Sequence, residues 1–161
     1  MQLFDAHFRR VYRYLSRLSG EPELAADIAQ ETFVKLYQRG QAPDTPEAWL
    51  ITVGTNLFRN ARTTNSRRLR LLTPERGEDL LADASPAPDH VALAGDTRRR
   101  VRAALDQIPE RDRRMLLLRA EGYSYKEIAL ALEIAESSIG TLLARAKSAF
   151  RDHYEGGPDA S

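Results

Sequence analysis

The sequence has no cysteine in 161 residues, only three histidines and a single tryptophan. Without thiols there can be no disulfide framework and no thiolate metal site. His7, His90 and His153 are scattered along the chain, so no metal centre is expected from them. Long apolar runs are missing too, and nothing approaches the roughly 18–20 residues that a membrane span needs. Met1–Asp5 lacks the basic stretch and apolar core of a secretory signal. No membrane insertion is therefore expected, and the expected location is cytoplasmic. There is no glycine-rich phosphate loop and no nucleophile with a plausible base beside it. An enzyme is the least favoured class on these grounds, and no cofactor is expected.

What the chain does contain is charge, unevenly placed. Residues 1–72 carry 11 Lys/Arg against 7 Asp/Glu, residues 73–97 carry 1 against 6, and residues 98–161 carry 12 against 10. Two basic blocks flank an acidic one. That distribution suits two parts that touch a polyanion, joined by a part that does not; solvated helix faces would give the same charges.

Apolar residues recur with a helical period and strand-like alternation is absent. Leu3, Phe4, His7, Phe8, Val11, Tyr12, Leu15 and Leu18 form one stripe, closed by Gly20-Glu21-Pro22. A second stripe runs through Leu24, Ala25, Ile28, Ala29, Thr32, Phe33, Leu36 and Tyr37 to Gly40, and a third starts near Pro46 with Trp49, Leu50, Val53, Leu57 and Phe58. These faces can be buried only against one another. From Thr73 to Asp96 the pattern fails amid Pro74, Pro86 and Pro88. The expectation is an all-α protein of two small helical domains: residues 1–72, a flexible acidic linker at 73–97, a second domain at 98–155 and a tail at 156–161.

The second domain holds a specific local pattern. Ser124-Tyr125-Lys126-Glu127 has the form of a capping box, and Ile128, Ala129 and Leu132 follow on one face. Ala129 is small, as a steep helix crossing requires. After Glu133–Glu136, the residues Ile139, Leu143, Ala146 and Phe150 define another buried stripe. Ser137, Ser138, Thr141, Arg145 and Lys147 are left outside, short polar groups first and cations later, which suits docking in a DNA major groove. A helical hairpin packed only for stability would share the stripe. The Glu-Ile-Ala start, short turn and Ser-Ser-Ile restart together favour a helix-turn-helix.

Two stretches of the first domain are distinctive. In Asp27–Tyr37, an inner face of Ile28, Thr32 and Leu36 is paired with an outer strip of Asp27, Gln30, Glu31 and Lys35. The other is Ala48-Trp49-Leu50 through Asn56, followed by Arg59, Arg62, Arg67, Arg68 and Arg70. One aromatic, one amide and clustered arginines suit unstacked, melted DNA. Trp49 taken alone reads as a core residue.

Together these motifs and Ile108–Ala129 resemble the extracytoplasmic-function sigma factors, the small members of the sigma-70 class, over about residues 3–68 and 98–153. The resemblance implies a subunit that binds core RNA polymerase and directs initiation at −10 and −35 promoter elements. It places Asp27, Gln30, Glu31 and Lys35 on the clamp helices of the largest polymerase subunit, and implies a second contact with the flap of the second-largest subunit. It places Trp49, Asn56, Arg59, Arg62, Arg67 and Arg68 on the −10 element, with Asn56 at an extruded base. Ser137, Ser138, Thr141, Arg145 and Lys147 fall on the −35 element. The acidic linker would run through the polymerase cleft, and an anti-sigma partner would hold the protein inactive.

Departures from the family pattern lie in the recognition helix. Gly140 and Leu142 stand where a lysine and an arginine are usual, so −35 reading should lean on Ser138, Thr141 and Arg145. Asn60 replaces a common aspartate in the melting segment. A DNA-binding regulator with another kind of first domain is the competing class; it would bind duplex tightly without polymerase.

Overall fold

The computed structural model describes residues 2–72 and 89–156, with side chains described for 4–64 and 95–156. Those residues form seven helices: α1 (Gln2–Ser19), α2 (Pro22–Arg39), α3 (Pro46–Leu72), α4 (Asp89–Asp106), α5 (Glu110–Ala120), α6 (Tyr125–Leu132) and α7 (Glu136–Glu155). There is no strand among the described residues. The all-α, two-domain expectation holds.

Local chemistry sets the ends of the helices. Gly20 and Gly40 sit in the left-handed region, at φ of 73° and 75°, where a side chain would be strained. Pro22 opens α2, where its missing N–H costs nothing because the first turn has no acceptor for it.

In the first domain α1, α2 and α3 pack pairwise. Tyr14, Leu15, Leu18, Phe33, Leu50 and Ile51 are at most 2 % exposed. Each large side chain buried this way stabilises the fold by about 1.5–3 kcal/mol. Thr32, fully buried, donates its hydroxyl to the Ile28 carbonyl at 2.7 Å. In the second domain α4, α5 and α6 each pack on α7.

The acidic connection differs from the sequence reading at its end. Residues 89–97, read as linker, form the first half of α4. After Pro88 the next proline is Pro109, beyond the end of α4, and Ala92, Leu93 and Ala94 are strong helix formers. The remainder of that segment, 73–88, and the end of the tail, 157–161, lie outside the described residues. Tyr37 also departs from expectation. Assigned to an inner face, it is 52 % exposed.

The two domains touch and share one continuous hydrophobic core running from Val11 to Leu143. α6 packs against α3 and α5 against α1. A buried chain of hydrogen bonds crosses this junction. The Thr55 hydroxyl donates to the Ile51 carbonyl at 2.7 Å, so its oxygen must accept from the Tyr14 hydroxyl at 3.1 Å. Tyr14 in turn accepts from Nε of Arg114 at 3.0 Å.

Candidate nucleic-acid interface

The helix-turn-helix is built by its caps. Ser124 Oγ accepts from the Glu127 amide at 3.1 Å, and the Glu127 carboxylate accepts from the Ser124 amide at 2.8 Å, completing the expected capping box. α6 ends at Glu133, which is left-handed at φ 56° and ψ 48° although it is not glycine. That conformation reverses the chain into α7. Ala129, 7 % exposed, lies in the core beside fully buried Ile128 and Ile139.

With Ile139, Leu143 and Ala146 buried, the opposite side of α7 is open. At 100° per residue, Ser137, Ser138, Thr141 and Arg145 fall within an arc of about 100°. Ser137, Thr141 and Arg145 are exposed, and Ser138 is half-buried. Lys147 does not join them. It lies about 160° around the helix from Arg145, lining a cleft with Leu116, Phe150, Arg151 and Tyr154. Leu142 is half-buried against the core. Gly140 leaves room filled by the Tyr125 ring, 3.7 Å from where a Cβ would stand. Tyr125 is 41 % exposed, and the Arg119 guanidinium lies 5.0 Å from its ring centroid.

On α2, Asp27, Gln30, Glu31 and Lys35 are all exposed and share one face. Val34, 50 % exposed, lies among them, and Tyr37 extends the face. The strip is thus polar with an apolar patch, the usual make-up of a protein-docking surface. Val34 could have been found from the sequence, since at helical period it lies opposite Ile28, Thr32 and Leu36.

On α3, Trp49 is half-buried with the Arg39 guanidinium 5.8 Å from its ring centroid. Asn56 is exposed two turns later on the same face. Arg62 is exposed and approaches the Phe58 ring at 5.7 Å. Arg59 is already engaged, donating to Glu110 Oε1 at 3.1 and 2.7 Å. The side chains of Arg67 and Arg68 lie outside the described residues.

Tyr123, behind the helix-turn-helix, is 1 % exposed with the Arg10 guanidinium 3.9 Å from its ring centroid. Burial pushes its hydroxyl well above the ordinary tyrosine value, so it stays a neutral phenol. That hydroxyl has no hydrogen-bond partner among the described residues. No described helix is long and apolar enough to cross a membrane.

The sigma-70 region 2 family matches residues 3–68 and the sigma-70 region 4 family matches residues 98–150. The extracytoplasmic-function RNA polymerase sigma factor SigL of Mycobacterium tuberculosis is 32 % identical over 155 residues, covering 92 % of this chain and 85 % of that protein. The chain belongs to the extracytoplasmic-function sigma factors. SigE of Mycolicibacterium smegmatis, another member, is 31 % identical over 155 residues; the match spans 94 % of this chain but 60 % of that longer protein. Among solved structures, the sigma factor RpoE of Bartonella quintana, crystallised with the anti-sigma factor NepR, is similar in fold. Its TM-score is 0.62 at 18 % identity, covering 96 % of this chain and 95 % of that one. Within the family the role is that of a sigma factor in transcription initiation.

Proposed function

We propose that this protein binds core RNA polymerase and brings it to promoters by reading a −10 element with its first domain and a −35 element with its second. The observation that carries the reading is the pairing, in one chain, of a region 2 match at 3–68 with a region 4 match at 98–150. The exposed polar faces support it. Asp27, Gln30, Glu31 and Lys35, with Val34 and Tyr37 between and beside them, form the surface for the clamp helices of the largest subunit. The second domain meets the flap of the second-largest subunit. Asn56 takes an extruded base of the melted −10 strand, while Arg59, Arg62, Arg67 and Arg68 neutralise phosphates around it. Trp49 braces that helix through its half-buried ring and flanks the strand.

For the −35 element, Ser137, Ser138, Thr141 and Arg145 form the reading face, and Arg145 is the one side chain there able to bond a guanine edge bidentately. Lys147 serves a flanking phosphate. The working units are residues 1–72 and 98–155, with 73–97 connecting them. The protein acts in the cytoplasm with polymerase, catalyses nothing itself, and is held inactive by an anti-sigma partner, as its structural neighbour is bound by one.

The competing reading, a regulator that binds duplex by itself, is separated by a transcription assay on a promoter panel with and without the −35 element. Arg145→Ala is expected to cost about 1–3 kcal/mol of binding at −35-dependent promoters only. Equal loss on both classes would remove Arg145 from the −35 site.

A further inference from the structure

On the sigma reading just given, the melted −10 strand crosses α3, where every cation assigned to it, from Arg59 to Arg68, lies on one side of Asn56. We propose that Arg39, the last residue of α2, is a further strand-binding residue, holding a phosphate of that strand at the opposite end of the same face.

The turn between α2 and α3 brings Arg39 to that face. Gly40 is left-handed at φ 75°, and just beyond it the Gln41 carbonyl accepts from Arg39 Nε at 3.1 Å. The guanidinium lies 5.8 Å from the ring centroid of Trp49, in the first turn of α3. A free arginine has about 2 kcal/mol of rotamer entropy to lose. Tied to a carbonyl and laid over a ring, Arg39 has given up much of that freedom before any ligand arrives, which favours binding. Its terminal nitrogens remain to be used. Arg39 is exposed and forms no salt bridge among the described residues. Glu47, two residues before Trp49, faces His7 instead at 3.8 Å.

Trp49 and Asn56 are two turns apart on one face, about 10 Å along the helix, and Arg59 lies about 5 Å further on. Asn56 therefore stands between cations at both ends of a span of about 15 Å. Extruding a base costs a few kcal/mol of stacking. A backbone gripped on both sides of Asn56 meets that cost with two phosphate contacts and keeps the extruded nucleotide in register. An arginine in the last turn of a helix also offsets the helix dipole. That role alone would call for no tie to Gln41, outside α2, and no seat on the Trp49 ring of another helix.

The test is binding of a single-stranded oligonucleotide, carrying the −10 strand of a promoter mapped by overproducing the protein, to holoenzyme assembled from core polymerase and the full chain. Arg39→Gln should leave core binding intact and reduce the slope of log affinity against log salt by about 0.7, the value for one phosphate on a single strand. Between about 50 and 200 mM salt, the unmutated protein should then lose about 2.5-fold more affinity than the variant. Arg39→Lys keeps the cation and should restore the slope. Shortening the oligonucleotide from one end should erase the effect of Arg39→Gln, and shortening it from the other end should erase that of Arg59→Gln. An unchanged slope in Arg39→Gln, an effect that survives shortening from either end, or lost core binding overturns the proposal. Binding that needs Asn56 but not Arg39 overturns it alone. If the unmutated holoenzyme does not distinguish the −10 strand from an unrelated one, the sigma reading fails and takes this inference with it.

Discussion

Tyr14→Phe removes one oxygen from the middle of the hydrogen-bond chain at the domain junction. The direction of that chain is set by chemistry, since Thr55 spends its only hydroxyl proton on the Ile51 carbonyl and Tyr14 must donate to it. The substitution therefore loses the bond to Thr55 and strands Nε of Arg114, a charged donor in a residue 8 % exposed. A neutral buried bond contributes about 1 kcal/mol, and a hydrogen bond to a charged group about 1.5–3 kcal/mol. Some relaxation of Arg114 toward water will reduce the total, so we expect a loss of about 2–3 kcal/mol. For a chain of this length that lowers Tm by roughly 5–10 °C. Urea unfolding of the full chain measures it. Arg114→Met removes the stranded charge, so the double variant should recover about 1–2 kcal/mol relative to additivity. A Tyr14→Phe loss under about 0.5 kcal/mol, with no coupling to Arg114→Met, would refute the buried junction in solution.

Three other outcomes follow from the same geometry. Ser124→Ala removes the hydroxyl half of the capping box, leaving the backbone amide at 124 to the Glu127 carboxylate, and should cost about 1 kcal/mol in chemical denaturation, with weaker −35 binding; an unchanged midpoint would mean the hydroxyl cap contributes nothing. Glu133→Gly relieves a left-handed residue in the turn and should stabilise the chain by about 0.5–1 kcal/mol, a result read from the same curves and contradicted by any loss. Asn56→Ala changes an exposed side chain, so folding and core binding should persist while initiation falls about tenfold or more at promoters relying on the −10 base. Lost core binding would instead assign Asn56 to the polymerase contact.

Helix positions and the helix-turn-helix were legible in the sequence because both rest on local rules. Periodic burial placed α1 to α3, and Ser124 with Glu127 announced the cap that the structure contains. Tyr37 falls in the second apolar stripe by residue type, whereas the end of α2 leaves it half in solvent. Val34 is the reverse case, an apolar residue standing exposed in an otherwise polar strip. The first half of α4 was hidden by the acidic, proline-bearing stretch just before it. The domain junction could not have been read at all. Arg10 and Glu121 are 111 residues apart, Arg114 and Tyr14 are 100 apart, and Arg102 binds backbone carbonyls. Such pairs leave no period or spacing in a single sequence, and each arginine reads equally well as solvated or as a DNA contact. Arg59 shows the consequence. Its residue type pointed to phosphate, while in the structure it holds a carboxylate.

Reconstituted transcription tests the promoter-directing role most directly. Purified core RNA polymerase, the full chain and templates bearing promoters mapped by overproducing the protein are combined, and the 5′ ends of the transcripts are read. A defined start site that depends on adding this protein is expected, with a stable complex between it and core at micromolar concentration. A protein that binds the duplex tightly alone, forms no complex with core and yields no specific start would contradict it.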